Sequence, residues 1–337
     1  MIVKKYTRFP SELIDDTKIP VFCTAAYARY LTEAKSQDVF WLAGFKNDKM
    51  ICIIPFSIVK KLIFKKGCFL TATLNISSQD EFCEKEFLDT VVQFIKNNKT
   101  CDWIEQPPNW ALFKAVPSNS IFCEFGTYRI NLEKYDETEL FGKMEKDKRR
   151  SIKKAMDSNF VIQNGPECLE DCLQVFSRAT AEGNHTLPKK KELENLIYYL
   201  PENIRINVAY NNGNPQSCLV LFINNYSVYG EYAGRIASSS RNINSFLMWE
   251  TIKEAKKSGV KYFDFGGARI NPEPGSKPEK IQNFKEHFGG ELVKGFLWKM
   301  PISKFKYFLY DLSLRSFFLL SLNKYEGDII DQELKRK

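Results

Sequence analysis

The sequence predicts an α/β protein of two tandem domains with mixed sheets, followed by a C-terminal helical tail. Three observations lead there. At roughly 150 residues per domain, 337 residues make about two domains. A composition of 44% apolar and 27% charged residues suits a globular chain with a sizeable core, and excludes wholesale disorder or a fibrous repeat. The third observation is an internal repeat. The stretch VFWLAGFKNDKMICIIPF (39–56) reads as strand, polar turn, strand around Asn47 and Asp48, and RINVAYNNGNPQSCLVLFIN (205–224) repeats that plan around Asn212 and Gly213. Downstream of each, EFLDTVVQFIKNNKTCDWIEQPP and MWETIKEAKKSGVKYFDFGGA both read as a helix followed by a strand, at nearly the same offset. The domains are therefore placed at 1–125 and 126–300, with the tail at 301–337.

In the second half the patterning gives a helix at 139–157, a strand near 160, and helices at 168–180 and 189–199. Strands follow at 205–210, 217–224 and 226–233, then a helix at 244–258, a strand at 260–265, a helix at 279–288 and a strand at 291–299. Gly289 and Gly290 end the penultimate helix, because glycine accepts the left-handed backbone that closes a helix. The run ARINPEPGSKPEK, with three prolines, reads as a long irregular loop of the kind that serves as a lid. In the tail, PISKFKYFLYDLSLRSFFLLSL is rich in Phe and Leu but broken by charge. It either packs back on the body or makes peripheral contact with a membrane surface.

A net charge of +8, from 49 basic against 41 acidic residues, points to an anionic partner: a nucleotide, a phosphorylated lipid or RNA. Nine cysteines without a Cys-x-x-Cys pair, and only two histidines, give no expectation of a metal site; Cys168 and Cys172 read as packing residues. The odd cysteine count and an N-terminus without a charged-then-apolar leader are read as cytoplasmic. No apolar run reaches the roughly 18 residues of a membrane span.

Candidate chemistry gathers in the second half. Asp264, in YFDFGG at a strand end among aromatics, is expected to meet the amides of Gly266 and Gly267 or the guanidinium of Arg269, since an unpaired buried carboxylate is costly. On IQNFKEHFGG, Ile281, Phe284 and Phe288 form the expected buried stripe, with Lys285 at its edge, reaching a cleft or snorkelling to solvent. The helix through KMEKDKRRSIKKAM sets Phe141, Met144, Ile152 and Ala155 opposite Lys143, Lys146, Arg149, Arg150, Lys153 and Lys154, an almost purely basic stripe expected to touch an anionic ligand. Lys148 falls among the apolar positions and is expected to point into an interdomain cleft. After the strand YSVYGEYAG, Arg235, Arg241 and Asn242 surround a helix start where backbone N–H groups can receive an anion. Glu231 in that strand is the candidate general base for acyl transfer to an amine.

KDKRRSIKKA, followed far downstream by YFDFGGA and FKEHFGGELVKG, resembles the FemAB-like branch of the GNAT acyltransferase superfamily, as does the duplicated plan. The resemblance covers about residues 20–300 and implies two tandem GNAT-like domains. It implies transfer of an acyl or aminoacyl group, from acyl-CoA or aminoacyl-tRNA as co-substrate, to an amine of a cell-envelope precursor such as a peptidoglycan, sugar-nucleotide or lipid-linked intermediate. Lys285 matches the lysine of the family's Phe-Lys-x-x-Phe helix, which handles the donor or the tetrahedral intermediate; Arg149 or Arg150 matches a position linked to acceptor phosphates. The glycine-rich pyrophosphate loop of simple acetyl-CoA enzymes is missing from RIASSSRNINS, and no heptad arm is present, so the donor stays open, tRNA included. The competing reading is a catalytically silent module of the same fold whose basic stripe binds RNA or anionic lipid.

Overall fold

The computed structural model describes residues 1–15, 19–76, 83–181, 188–320 and 326–336. The chain forms two compact units, Met1–Gly126 with Lys294–Lys337, and Thr127–Val293. The boundary near Gly126 follows the repeat. The second half of the last strand and the whole tail belong to the first unit, so 126–300 is not one domain and 301–337 is not a separate appendage.

In the first unit, β1 (Ile2–Tyr6), β2 (Asp38–Lys46), β3 (Lys49–Lys61) and β4 (Phe64–Phe69) pair antiparallel in that order, and β4 pairs parallel with β6 (Trp103–Ile104). The short β5 (Leu74–Asn75) pairs with β3. Helix α1 (Ala25–Lys35) starts at Thr24, whose side chain accepts from the Tyr27 amide, and α2 (Glu84–Asn97) buries Phe87, Leu88, Val91 and Ile95 against the sheet residues Phe40, Phe56 and Phe69. The strand β7 (Ile121–Asn131) runs out of this unit into the second.

The second unit repeats the arrangement. Its strands β8 (Phe160–Asn164), β9 (Ile204–Asn211), β10 (Asn214–Ile223) and β11 (Ser227–Arg235) pair antiparallel in order, and β11 pairs parallel with β12 (Tyr262–Arg269). Strand order and directions thus match β1, β2, β3, β4 and β6 one for one. Both expected hairpin tips use left-handed residues, Asn47 and Asp48 at φ 48° and 59°, and Asn212 and Gly213 at φ 50° and 76°. Such turns match the twist of the flanking strands. Helices α5 (Leu169–Ala181), α6 (Lys190–Tyr199) and α7 (Arg241–Lys257) accompany this sheet, and Cys168, Cys172 and Cys218 are buried with its core. His185 lies outside the described residues.

Three expectations need correction. The helix expected at 139–157 is two, α3 (Glu137–Lys143) and α4 (Lys146–Met156). Met144 between them is extended, and the Glu145 amide donates to the His287 carbonyl at 2.9 Å instead of continuing α3. The loop after β12 is shorter than expected, because α8 (Lys277–His287) begins at the Ser276 cap with Pro278 in its first turn, where a missing N–H costs nothing. Helix α8 is also turned about its axis: Ile281 is 45% exposed, whereas Gln282 and Lys285 are buried.

After α8, Gly289 at φ 82° closes the helix and β13 (Glu291–Pro301) carries the chain back to the first unit, pairing antiparallel with β6. There follow α9 (Lys304–Leu320) and α10 (Ile329–Arg336). Ile330 of α10 enters a small core with Cys123, Phe125 and Leu297, and the Lys299 ammonium holds Asp328 and Asp331 at 2.7 and 2.6 Å. Among the described residues no helix is long and apolar enough to cross a membrane.

Candidate active site

The parallel ladder between β11 and β12 ends at Tyr229 opposite Asp264, although both strands continue beyond it. Two local features open it. On β11 the register slips against β10, so that Glu231 is the extra residue between Gly230 and Tyr232, a bulge of the kind that re-aims a side chain. On β12 the Gly266 amide donates to Asp264 Oδ1 at 2.8 Å, and Gly266 takes φ 78°, a backbone that an L side chain adopts only with strain. Gly230 still faces this bend: a Cβ placed on it would lie 3.9 Å from the Asp264 carbonyl oxygen, and one on Gly266 3.9 Å from the Gly230 oxygen.

Asp264 is 1% exposed and accepts from every side. Thr127 Oγ1 donates to Oδ1 at 2.5 Å, and Arg129 donates to Oδ2 from Nε at 3.0 Å and from its terminal nitrogen at 2.8 Å. Of the partners expected from sequence, the Gly266 amide is present. The guanidinium comes from Arg129 on β7, not from Arg269, and it also lies over the Tyr262 ring at 5.0 Å. A carboxylate this fully occupied has no lone pair aimed at a substrate, and its role here is to fix the Gly266 bend and β7.

The bend presents two carbonyls to Lys285, whose ammonium donates to Gly266 O at 2.9 Å and Gly267 O at 2.7 Å. Two of its three N–H groups are thereby held, and the third has no acceptor among the described residues. Burial lowers the Lys285 pKa to about 8, with nearby Asp264 working the other way. Lys285 is 8% exposed, so it stands inside the unit and not at a helix rim. Glu231 in the bulge is half-buried; burial, with Glu192 adding to it, pushes its carboxyl up to about 7 against a hydrogen bond from Tyr232. Glu231 responds to Glu192 and Tyr232 and Lys285 to Asp264, so the two titrate as separate groups.

A cavity of about 340 Å³ opens beside α4, α7 and α8. Lys148 lines it, its ammonium 5.0 Å from the Phe284 ring centre and 5.4 Å from that of Phe288. Lys148 therefore serves a site within the second unit. Phe284, Ser151, Arg235 and Asn244 line the same cavity, as does the His287–Glu145 pair at 3.2 Å. Arg235 also shapes the turn into α7, where its guanidinium donates to the carbonyls of Ile236 and Ser239 at 3.2 and 3.1 Å. At that helix start Ser240 caps the Asn242 amide at 3.2 Å; the Arg241 side chain lies outside the described residues. Arg149, Arg150 and Lys153 do not line the cavity; Arg150 and Lys153 are exposed, and Arg150 pairs with Asp147 at 3.5 Å.

Sequence reasoning missed Thr127 and Arg129 altogether. The one signal was a Thr and an Arg at alternate positions of β7, and nothing local links them to a carboxylate 137 and 135 residues away. Lys148 carried a visible sign, a cation in an apolar phase.

Residues 142–280 match the sequence family described as "Acetyltransferase (GNAT) domain". That span holds Glu231, Asp264 and Lys148, and ends just before Lys285. No protein of curated function matches the sequence. Among solved structures the chain is similar to FemX, with a TM-score of 0.64 at 11% identity over 84% of this chain and 92% of that one. It is similar to the C-terminal domain of a putative lysylphosphatidylglycerol synthetase from Agrobacterium fabrum, with a TM-score of 0.52 at 13% identity over 80% and 86% of the two chains. A tandem GNAT protein from the clavulanic acid biosynthesis pathway also matches, with a TM-score of 0.52 at 8% identity over 89% and 99%. The match assigns a GNAT acetyltransferase domain to residues 142–280, and the first unit repeats the strand order of the second. In fold, two α/β units of which the first is completed by the C-terminal helices, the chain is similar to FemX and to the tandem GNAT protein.

Proposed function

We propose that the protein is an N-acyltransferase that moves an acyl or aminoacyl group from acyl-CoA or aminoacyl-tRNA to an amine of an anionic cell-envelope precursor. The observation that carries this reading is the opened β11–β12 pair, with Lys285 anchored on the Gly266 and Gly267 carbonyls and Glu231 raised in the bulge. The amine nitrogen attacks the donor carbonyl carbon and Glu231 takes its proton. The free N–H of Lys285 stabilises the oxygen that gains charge. As the new C–N bond holds, the C–S bond of a thioester, or the C–O bond of an aminoacyl ester, breaks, and the thiol or hydroxyl leaves with a proton. Lys148 and Arg235 in the neighbouring cavity suit an acceptor phosphate, with Phe284 as its apolar floor. Arg149, Arg150 and Lys153 on α4, with Asn242 at the start of α7, are further cations and donors proposed for the same ligand. Aminoacyl donors and lipid acceptors also fit the likeness to the C-terminal domain of a putative lysylphosphatidylglycerol synthetase.

The test is mass spectrometry of amine-bearing nucleotide, muropeptide and lipid precursors after incubation with the protein and either donor. A mass gain equal to the acyl group, lost in Lys285→Ala, supports the reading. No gain with either donor, together with retention of RNA or anionic lipid that Arg149→Glu with Arg150→Glu abolishes, establishes the silent binding module instead.

A further inference from the structure

We propose that the β3–β4 hairpin tip and the outward face of α9, both in the first unit, dock the protein on the surface of an anionic lipid bilayer. The tip is the anomaly that starts the argument. The two hairpins at Asn47–Asp48 and Asn212–Gly213 turn on residues that favour a left-handed backbone, whereas this one turns on Leu62 at φ 54° followed by Ile63. Leucine at such a φ is strained, and here it gains no burial in return: Leu62 is 96% exposed and Ile63 69%. A strained apolar tip surrounded by water calls for another solvent.

Helix α9 supplies the same chemistry beside it. Its inner side packs on the sheet, Tyr310 stacking on Trp103 at 4.4 Å and meeting the Phe64 ring at 5.8 Å. Its outer side repeats Phe305, Phe308, Leu312 and Leu319, one stripe at helical spacing, and all four are exposed. Lys306 joins the two elements, its ammonium reaching the Ile63 carbonyl at 3.4 Å and Asp102 at 3.0 Å. Lys306 thus ties the tip to the first turn of α9, and both elements expose large apolar side chains.

Their border is basic. Lys60, Lys61 and Lys65 flank the tip and Lys304 starts the helix, all exposed. Lys60 pairs with Asp38 at 2.6 Å, but among the described residues Lys61 and Lys65 have no carboxylate partner. This charge selects the occupant. A second copy of the chain would bring lysines against lysines, whereas phospholipid headgroups offer anions around an apolar interior. With no described helix fit to span a bilayer, the contact is peripheral.

The experiment is co-sedimentation of the full-length protein with phosphatidylcholine vesicles with and without phosphatidylglycerol. Binding is expected only with phosphatidylglycerol, and it weakens as salt rises. Leu62→Ser with Phe305→Ser should lower the partition by about tenfold or more. Lys61→Glu with Lys65→Glu should lower it by at least roughly tenfold, since one lysine near an anionic surface is worth about fivefold. All four residues are exposed, so melting temperature and turnover of a soluble acceptor stay unchanged, and the result is independent of the proposed chemistry. Equal sedimentation with and without phosphatidylglycerol, or no loss in the variants, overturns the proposal. So does a wild-type dimer in solution that becomes monomeric in Leu62→Ser/Phe305→Ser, which would assign these side chains to self-association.

Discussion

At the scale of single residues, Lys285 and Glu231 make the rate depend on pH in a defined way. A base works when deprotonated, so turnover rises as pH passes the Glu231 pKa of about 7; an oxyanion donor works when protonated, so turnover falls above the Lys285 pKa of about 8. A narrow bell-shaped profile is expected, and Glu231→Gln should remove its acidic limb. Lys285→Ala should lower kcat by about a hundredfold, the loss typical of one oxyanion donor. It should also cost about 1–3 kcal/mol in urea unfolding, because the Gly266 and Gly267 carbonyls lose their donor. That is more than a lysine at a helix rim would cost. Lys285→Arg should rescue neither property well, since a planar fork cannot stand in for a compact ammonium. Asp264→Asn belongs to another class. It leaves the half-buried Arg129 guanidinium without its carboxylate and should cost about 3 kcal/mol in chemical unfolding.

At the scale of elements, the site exists because two strands stop pairing. Gly266→Ala tests the bend: open space surrounds its Cβ position, with the Gly230 oxygen at 3.9 Å, so the cost comes from φ 78° alone. About 1 kcal/mol of stability should be lost. Turnover should fall far more steeply, as the two carbonyls that hold Lys285 shift, and kinetics beside a melting curve separate the two effects. Helix α4 offers a second test. Lys148→Ala should raise KM for an anionic acceptor several-fold, whereas Arg150→Ala, exposed and paired with Asp147, should change it less. Calorimetry with the acceptor reads the difference. Equal effects would return the acceptor to the outer basic stripe that the sequence emphasises.

At the scale of the whole molecule, the first unit is built from both ends of the chain. Ile330, fully buried near the C-terminus, packs with Cys123, Phe125 and Leu297, which come from two other stretches. Ile330→Ala should cost about 2–5 kcal/mol, visible in chemical unfolding, with turnover unchanged at a temperature where the variant is folded. The same interleaving explains why the domain limits drawn at 300 and 301 do not hold. The strand that ends the second unit completes the first, and no break in composition marks the passage.

What the sequence determined by itself is what short-range physics encodes. The two hairpins follow from Asn-Asp and Asn-Gly turns, the end of α8 from Gly289, and the duplication from equal spacing of equal patterns; strand order confirms the last down to the direction of each pairing. Asp264, Lys285 and Glu231 could be picked out because their residue types conflict with their surroundings. Tertiary structure alone decided what they touch. Arg129 reaches Asp264 across 135 residues, the phase of α8 is set by carbonyls on β12, and the α3–α4 break is set by the His287 carbonyl. A hydrogen bond between distant segments leaves no periodicity in either one, so the sequence carries the groups but not their pairing.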